Sequence, residues 1–242
     1  MASPFIQFFV RNGDMELSAE RIQFVTADGV EIVGDYYAPL TKCLRGILML
    51  HMMPETRDSF VIFARKTAAC DFHVLAIDLR GHGESIKRVG SDSVLDYKSF
   101  SDADHQKSIN DIRAAIFYLR GRGVKEIGLV GASIGANLSL QAIAEDQRLK
   151  GAILLSPGFN YRGIETIPFV RRLSSGQRVF FVGSEDDGNA VMMVHGLFSA
   201  TPERVHKNIK VFQTGGHGTE IFEQEPLFID ECISWLSKLF ER

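Results

Sequence analysis

Six short runs of almost wholly apolar residues punctuate this chain, and each is followed by a helix-like or loop segment. They are Gly46–His51 (GILMLH), His73–Asp78 (HVLAID), Glu126–Val130 (EIGLV), Gly151–Leu155 (GAILL), Val179–Val182 (VFFV) and Ile209–Phe212 (IKVF). A run of four to six apolar residues is too short for a buried helix and suits a strand covered on both faces. Between the runs, the pattern predicts helices over Asp58–Ala69, Asp102–Leu119, Ile134–Ala144, Ala190–Phe198 and Glu220–Leu239. Strand alternating with helix means a mostly parallel sheet with helices on both faces. Two earlier strands, Arg21–Thr26 and Glu31–Tyr37, flank Asp28-Gly29, a strong hairpin signal.

The 242 residues fit one α/β domain. Apolar residues at 45 % and charged residues at 24 % are the balance of an ordinary globular protein that needs neither metal nor disulfide to fold. A net charge of −3 with mixed signs leaves no footprint for nucleic acid or an anionic membrane. Cys43, Cys70 and Cys232 are scattered and odd in number, which reads as reduced thiols. The segment 1–20 has an apolar run without a basic lead-in, so it makes a poor signal peptide. The expectation is a cytoplasmic protein without cofactor or metal.

In parallel sheets ligands gather at the carboxyl ends of the strands, so polar residues just past strands have first claim on chemistry. After Val130 comes Gly131-Ala132-Ser133-Ile134-Gly135, then a helix of small residues. This is G-x-S-x-G between strand and helix, where a strained turn lifts the serine hydroxyl above the sheet and crowding excludes side chains two positions either side. The bland alternative is a Gly-rich turn with Ser133 as a helix cap.

Serine needs a base. Of seven histidines, His73 opens a strand at the wrong end of the sheet, and His105, His195 and His206, on helices or near their ends, read as solvated surface. His217, in Thr-Gly-Gly-His-Gly-Thr past the last strand, is the candidate base. Past Val179–Val182 lie Glu185, Asp186 and Asp187, of which Asp187 is the choice for the carboxylate that orients the imidazole, with Asp186 the fallback. Asp78 precedes the serine and breaks the order Ser, Asp, His. Two backbone N–H groups must hold the developing oxyanion. Ile134 would supply one and Met53, or failing it Met52, the other. Asp78–Ser85 (DLRGHGES) lacks a phosphate-loop lysine and reads as a structural loop, with Arg80 and His82 bracing the site.

Together HMMPETRDSF, DLRGHGES, GASIGA, LSPG, VGSEDD and GGHGT, in this order over about Phe24–Leu239, resemble the α/β-hydrolase superfamily, in its esterase and dienelactone-hydrolase-like branch. The resemblance implies attack by Ser133, proton transfer by His217 and orientation by Asp187. One departure is His51-Met52 where many members have His-Gly. The superfamily's lid commonly follows the strand after the elbow, and here only 157–177 is available. That implies a small acyl pocket, with Met52, Phe159 and Tyr161 at the substrate and Ile164 and Phe169 completing an apolar wall. The expected activity is hydrolysis of small carboxylic esters through an acyl-enzyme. A thioesterase, lactone hydrolase or amidase on the same triad is the alternative, and a non-enzymatic binding protein on this fold is a third reading.

Overall fold

A computed structural model describes residues 18–241. The apolar run within 1–17, read above as a poor signal peptide, lies outside the described residues. Among the described residues no helix is long and apolar enough to cross a membrane.

The chain opens with the expected hairpin, β1 (Glu20–Val25) and β2 (Val30–Tyr37), paired antiparallel. Gly29 takes φ +83°, open to glycine without strain, while Thr26 and Val30 close the turn at 2.8 Å. There follow β3 (Arg45–Leu50), a 3₁₀ turn at Arg57–Phe60 and helix α1 (Val61–Ala69), then β4 (His73–Ile77) and the two-residue β5 (Lys87–Arg88). Helices α2 (Asp102–Gln106) and α3 (Ile109–Gly121) lead to β6 (Glu126–Ala132), α4 (Ile134–Glu145) and β7 (Leu149–Leu155). A small hairpin, β8 (Asn160–Tyr161) with β9 (Ile164–Glu165), precedes α5 (Ile167–Arg171). The chain ends with β10 (Arg178–Ser184), α6 (Ala190–Ala200), β11 (His206–Phe212), α7 (Glu220–Gln224) and α8 (Phe228–Leu239).

The main sheet runs in the order β1-β2-β4-β3-β6-β7-β10-β11, and all neighbours from β4 to β11 are parallel. Side-chain alternation divides its core in two. Leu48, Leu50, Leu75, Ile77 and Leu129 meet Ile112 and Leu119 of α3, Leu138 of α4 and Leu197 of α6 on one face. Ile47, Met49, Val74, Ala76 and Val130 meet Phe63 of α1 and Cys232 and Leu236 of α8 on the other. Burial of each such side chain favours the fold by about 1.5–3 kcal/mol, which is why apolar residues occupy both faces of the central strands.

Two expected helices are each divided. Ser101 starts α2 with a reciprocal capping box to Asp104, and the helix ends at Gln106, with Lys107 as its cap, before α3 begins anew. The closing helix breaks at Pro226, which has no N–H to continue the ladder and drives Glu225 off the helical region to φ −125°, ψ 66°. His105 also departs from expectation. It is buried, edge-on to Phe100 at 5.4 Å, on the inner side of α2. His206 opens β11 and is exposed, as the solvated reading expects.

Candidate active site

Strand β6 ends against α4 with almost no loop, and Ser133 stands at the junction with φ +53° and ψ −118°. That left-handed backbone is strained for a residue with a Cβ. The surroundings enforce it. A Cβ at Gly131 would lie 2.2 Å from the Gly135 carbonyl oxygen, and one at Gly135 would lie 2.3 Å from that of Leu50. Only glycine fits two positions either side of the serine, as the spacing predicts. The Ser133 N–H bonds the Leu155 carbonyl at 2.8 Å, tying the turn to β7. Ser133 heads α4, yet its side chain makes no capping hydrogen bond, so the helix-cap reading finds no support.

His217 Nδ1 lies 2.8 Å from Asp187 Oδ2. The adjacent acid does something else. Asp186 accepts the N–H groups of Gly215 and Gly216 at 3.1 Å each and the Ser184 hydroxyl. The Ser184 hydroxyl, followed by those backbone N–H groups, holds the Asp186 carboxyl below the usual range. Asp186 thus fixes the backbone of the histidine loop, while Asp187 meets the ring. Glu220 accepts the His217 N–H at 2.7 Å, and Ser156 Oγ accepts that of Gly218 at 3.0 Å. A Cβ at Gly218 would lie 2.5 Å from Met52 Sδ and 3.3 Å from Ala132 Cβ. The histidine loop is therefore seated on the residue before Ser133.

The loop after β3 runs beside the elbow, since the carbonyls of Leu50 and His51 abut Gly135. Among the described residues, no backbone acceptor takes up the N–H of Met53 or of Ile134 outside regular ladders. Met52 is buried beneath Gly218, so its side chain supports the histidine loop. His51 stands behind this loop, its Nδ1 2.8 Å from the Met52 carbonyl and its Nε2 accepting the Leu79 N–H at 2.9 Å. His82 packs edge-on to His51 at 4.9 Å and stacks on Tyr97 at 3.9 Å.

Burial holds the imidazoles of both His51 and His82 down at about 4. Unfolded, each would titrate near 6.5. Between these values the unfolded chain binds the extra proton, so each ring contributes stability above pH 6.5 that is lost as pH falls toward 4, about 3 kcal/mol at most. A His82→Gln variant lacks that titration. From pH 7 to pH 4.5 the wild type should lose thermal stability relative to the variant by several degrees. A constant difference in Tm across that range would refute the assignment.

The loop after β4 is built on buried charge. Asp78, fully buried, accepts the backbone N–H of Arg57 at 2.9 Å and of Glu84 at 2.8 Å, and it pairs with the Arg57 guanidinium. Asp35 lies 3.1 Å from Arg57 Nε. The Asp78 carboxylate occupies the space a Cβ at Gly83 would need, at 2.1 Å, and Gly83 takes φ +50°. Arg80 is gripped by Asp111 through Nε at 2.9 Å and by Asp28 of the first hairpin at 2.6 Å. Arg80 and His82 thus fix this loop, and Arg57, Asp35 and Asp111, which were not singled out by the sequence reading, fix it with them.

Beyond β7 the segment 157–177 is fastened to α4. Asn137, buried on α4 one turn past Ser133, accepts the Gly158 N–H and donates to the Ile164 carbonyl, both at 3.0 Å. Thr166 donates to the Gly158 carbonyl at 2.7 Å. Tyr161 leans its ring on Gly158, with its hydroxyl 3.4 Å from the Ser156 carbonyl. Burial, then the negative charge of Asp187, pushes that phenol up. Phe159 turns the other way, against Gly196 of α6. Ile164 is buried, and Phe169 is packed on the core. An apolar groove of about 680 Å³ lies elsewhere, between β1 and α3, lined by Phe24, Phe117 and Tyr118 and by none of the residues above. Among the described residues no three His, Cys, Asp or Glu side chains are grouped as metal ligands.

Solved structures with this architecture include the Pyrococcus furiosus esterase Pf2001, at 17 % identity over 99 % of this chain and 96 % of that one, TM-score 0.72. The acetyl xylan esterase from Paenibacillus sp. R4 matches at 16 % identity over 94 % of this chain and 86 % of its own, TM-score 0.71. The α/β hydrolase GrgF from Penicillium sp. sh18 matches at 15 % identity over 93 % and 100 %, TM-score 0.74. At such identities the likeness is one of fold. A comparison with curated proteins gives no match. The family model for the alpha/beta hydrolase fold matches residues 47–208, a span that holds the elbow, the loop after β3 and the acids after β10. On that match, together with the strand order and the strained serine, this chain belongs to the α/β-hydrolase family.

Proposed function

We propose that the protein is a serine hydrolase that cleaves small carboxylic esters, with Ser133 as nucleophile, His217 as base and Asp187 as orienting acid. The observation that carries this reading is the Asp187–His217 pair, at 2.8 Å, on a loop seated against the residue before a strained, uncapped serine. Ser133 Oγ attacks the ester carbonyl and gives its proton to His217 Nε2. The Asp187 carboxylate keeps the other nitrogen protonated and stabilises the imidazolium. The backbone N–H groups of Met53 and Ile134 receive the oxyanion. Collapse expels the alcohol, protonated by His217, and water then releases the acid by the same steps in reverse.

The segment after β7 limits the size of the substrate. We read 157–177 as a minimal lid on a single domain, with Asn137 and Thr166 holding it close to α4. Such a lid leaves room for a short acyl group. Purified protein should release p-nitrophenol from p-nitrophenyl acetate or butyrate and should be labelled at Ser133 by a fluorophosphonate. No turnover from acetate to octanoate, combined with no labelling of the folded protein, would overturn the proposal. Parallel kinetics on thioester and amide substrates should rank the ester first.

A further inference from the structure

Tyr161 belongs to the segment 157–177, and its hydroxyl lies at the end of β7 that adjoins Ser133, 3.4 Å from the carbonyl of Ser156, whose neighbour Leu155 accepts the Ser133 N–H at 2.8 Å. Its ring is fixed by Gly158, where a Cβ would lie 2.7 Å from the ring carbons, and its strand is held by the Asn137 and Thr166 bonds to Gly158 and Ile164. The hydroxyl has the Ser156 carbonyl at 3.4 Å, too long for a strong hydrogen bond. A half-buried phenol with so weak an acceptor is a donor available to a better one.

The sheet order says which atom that would be. Strand β6, which delivers Ser133, has β3 on one flank and β7 on the other. The candidate oxyanion donor Met53 follows β3. Tyr161 follows β7, on the same side as β10 and β11, which carry Asp187 and His217. The oxyanion therefore faces away from Tyr161. The leaving-group oxygen must face His217, which protonates it, and so lies on the flank of Tyr161.

We propose that Tyr161 is a further catalytic residue, whose hydroxyl donates a hydrogen bond to the leaving-group oxygen as the tetrahedral intermediate collapses. This rests on the serine-hydrolase reading above. The step balances without any added reagent. The bond from carbon to the leaving oxygen breaks, its electron pair stays on that oxygen, and the proton arrives from His217. Tyr161 shares its proton but keeps it. In the second half of the cycle the attacking water occupies the same place and accepts the same hydrogen bond.

The help matters only when the leaving oxygen is basic. An alkoxide needs it, whereas p-nitrophenolate leaves unaided. The test is Tyr161→Phe, which keeps the ring on Gly158 and removes only the hydroxyl, compared with wild type on ethyl butyrate and p-nitrophenyl butyrate. The variant should lose about 10²-fold in kcat on the ethyl ester, with KM little changed, and less than about threefold in kcat/KM on the p-nitrophenyl ester. Fluorophosphonate labelling, which expels fluoride, should proceed at the wild-type rate. An equal loss on both esters, or no loss on either, would overturn the assignment of Tyr161 while leaving the wild-type esterase intact. A wild type that hydrolyses neither ester and takes no label would overturn the underlying reading and this one with it.

Discussion

Replacing Ser133 by Ala should reduce kcat on p-nitrophenyl butyrate by about 10⁶-fold, to the background of the remaining site. The same change should leave the melting temperature within a few degrees of wild type. Both expectations come from the junction of β6 and α4. The backbone at φ +53° is enforced by Gly131 and Gly135, whose neighbours leave no space for a Cβ, and the substitution alters neither. The hydroxyl caps nothing, so removing it forfeits no helix-capping energy of about 1 kcal/mol. Stopped assays at high enzyme concentration would measure the residual rate, and a thermal melt the fold. A loss below tenfold would move the nucleophile elsewhere. A collapse in Tm would return the serine to a structural role.

The second large effect separates two neighbouring acids. Asp187→Asn should lower kcat about 10⁴-fold, because an amide facing Nδ1 favours the wrong tautomer and no longer offsets the imidazolium charge. Asp186→Asn should cost at most about 10²-fold, the scale of a misplaced catalytic group. Asp186 meets the N–H groups of Gly215 and Gly216 and never the ring, so its loss loosens a loop and leaves the chemistry in place. Steady-state kinetics of the two variants decide the matter. If the order of the losses is reversed, the orienting acid is Asp186.

Much of this architecture could be read from the chain. Wholly apolar runs force strands with two buried faces, and Asp28-Gly29 admits a hairpin and little else. The glycines around Ser133 left two readings, an elbow and a capped Gly-rich turn, and the uncapped serine at φ +53° speaks for the first. The acids after β10 were legible as a group, but a choice between adjacent residues depends on which side chain the turn aims at the histidine. Position along the sequence does not encode that aim. His105 and the division of α2 from α3 were missed for a related reason, since a five-residue helix is too short to display a periodic face. The break at Pro226 was visible and outweighed by the apolar pattern around it. The buried network of Arg57, Asp35 and Asp78 joins three separate segments, and no local pattern announces such pairings. Asn137 did leave a trace, as an amide between Ala136 and Leu138 in the first turns of a mostly small and apolar helix. Its meaning required the hairpin it holds.

The way that hairpin is attached bears on how the family could be engineered from this chain. Both of its feet, at Gly158 and Ile164, are fastened to α4, while its tip at Arg162 and Gly163 turns through φ +54° and +80° on the outer side, where the Gln106 side chain touches the Arg162 carbonyl at 3.3 Å. A longer peptide grafted at that tip would leave the fastenings and the serine untouched. The protein thus offers a base onto which caps of graded size can be spliced one at a time, so that acyl-chain preference becomes a property of the graft alone.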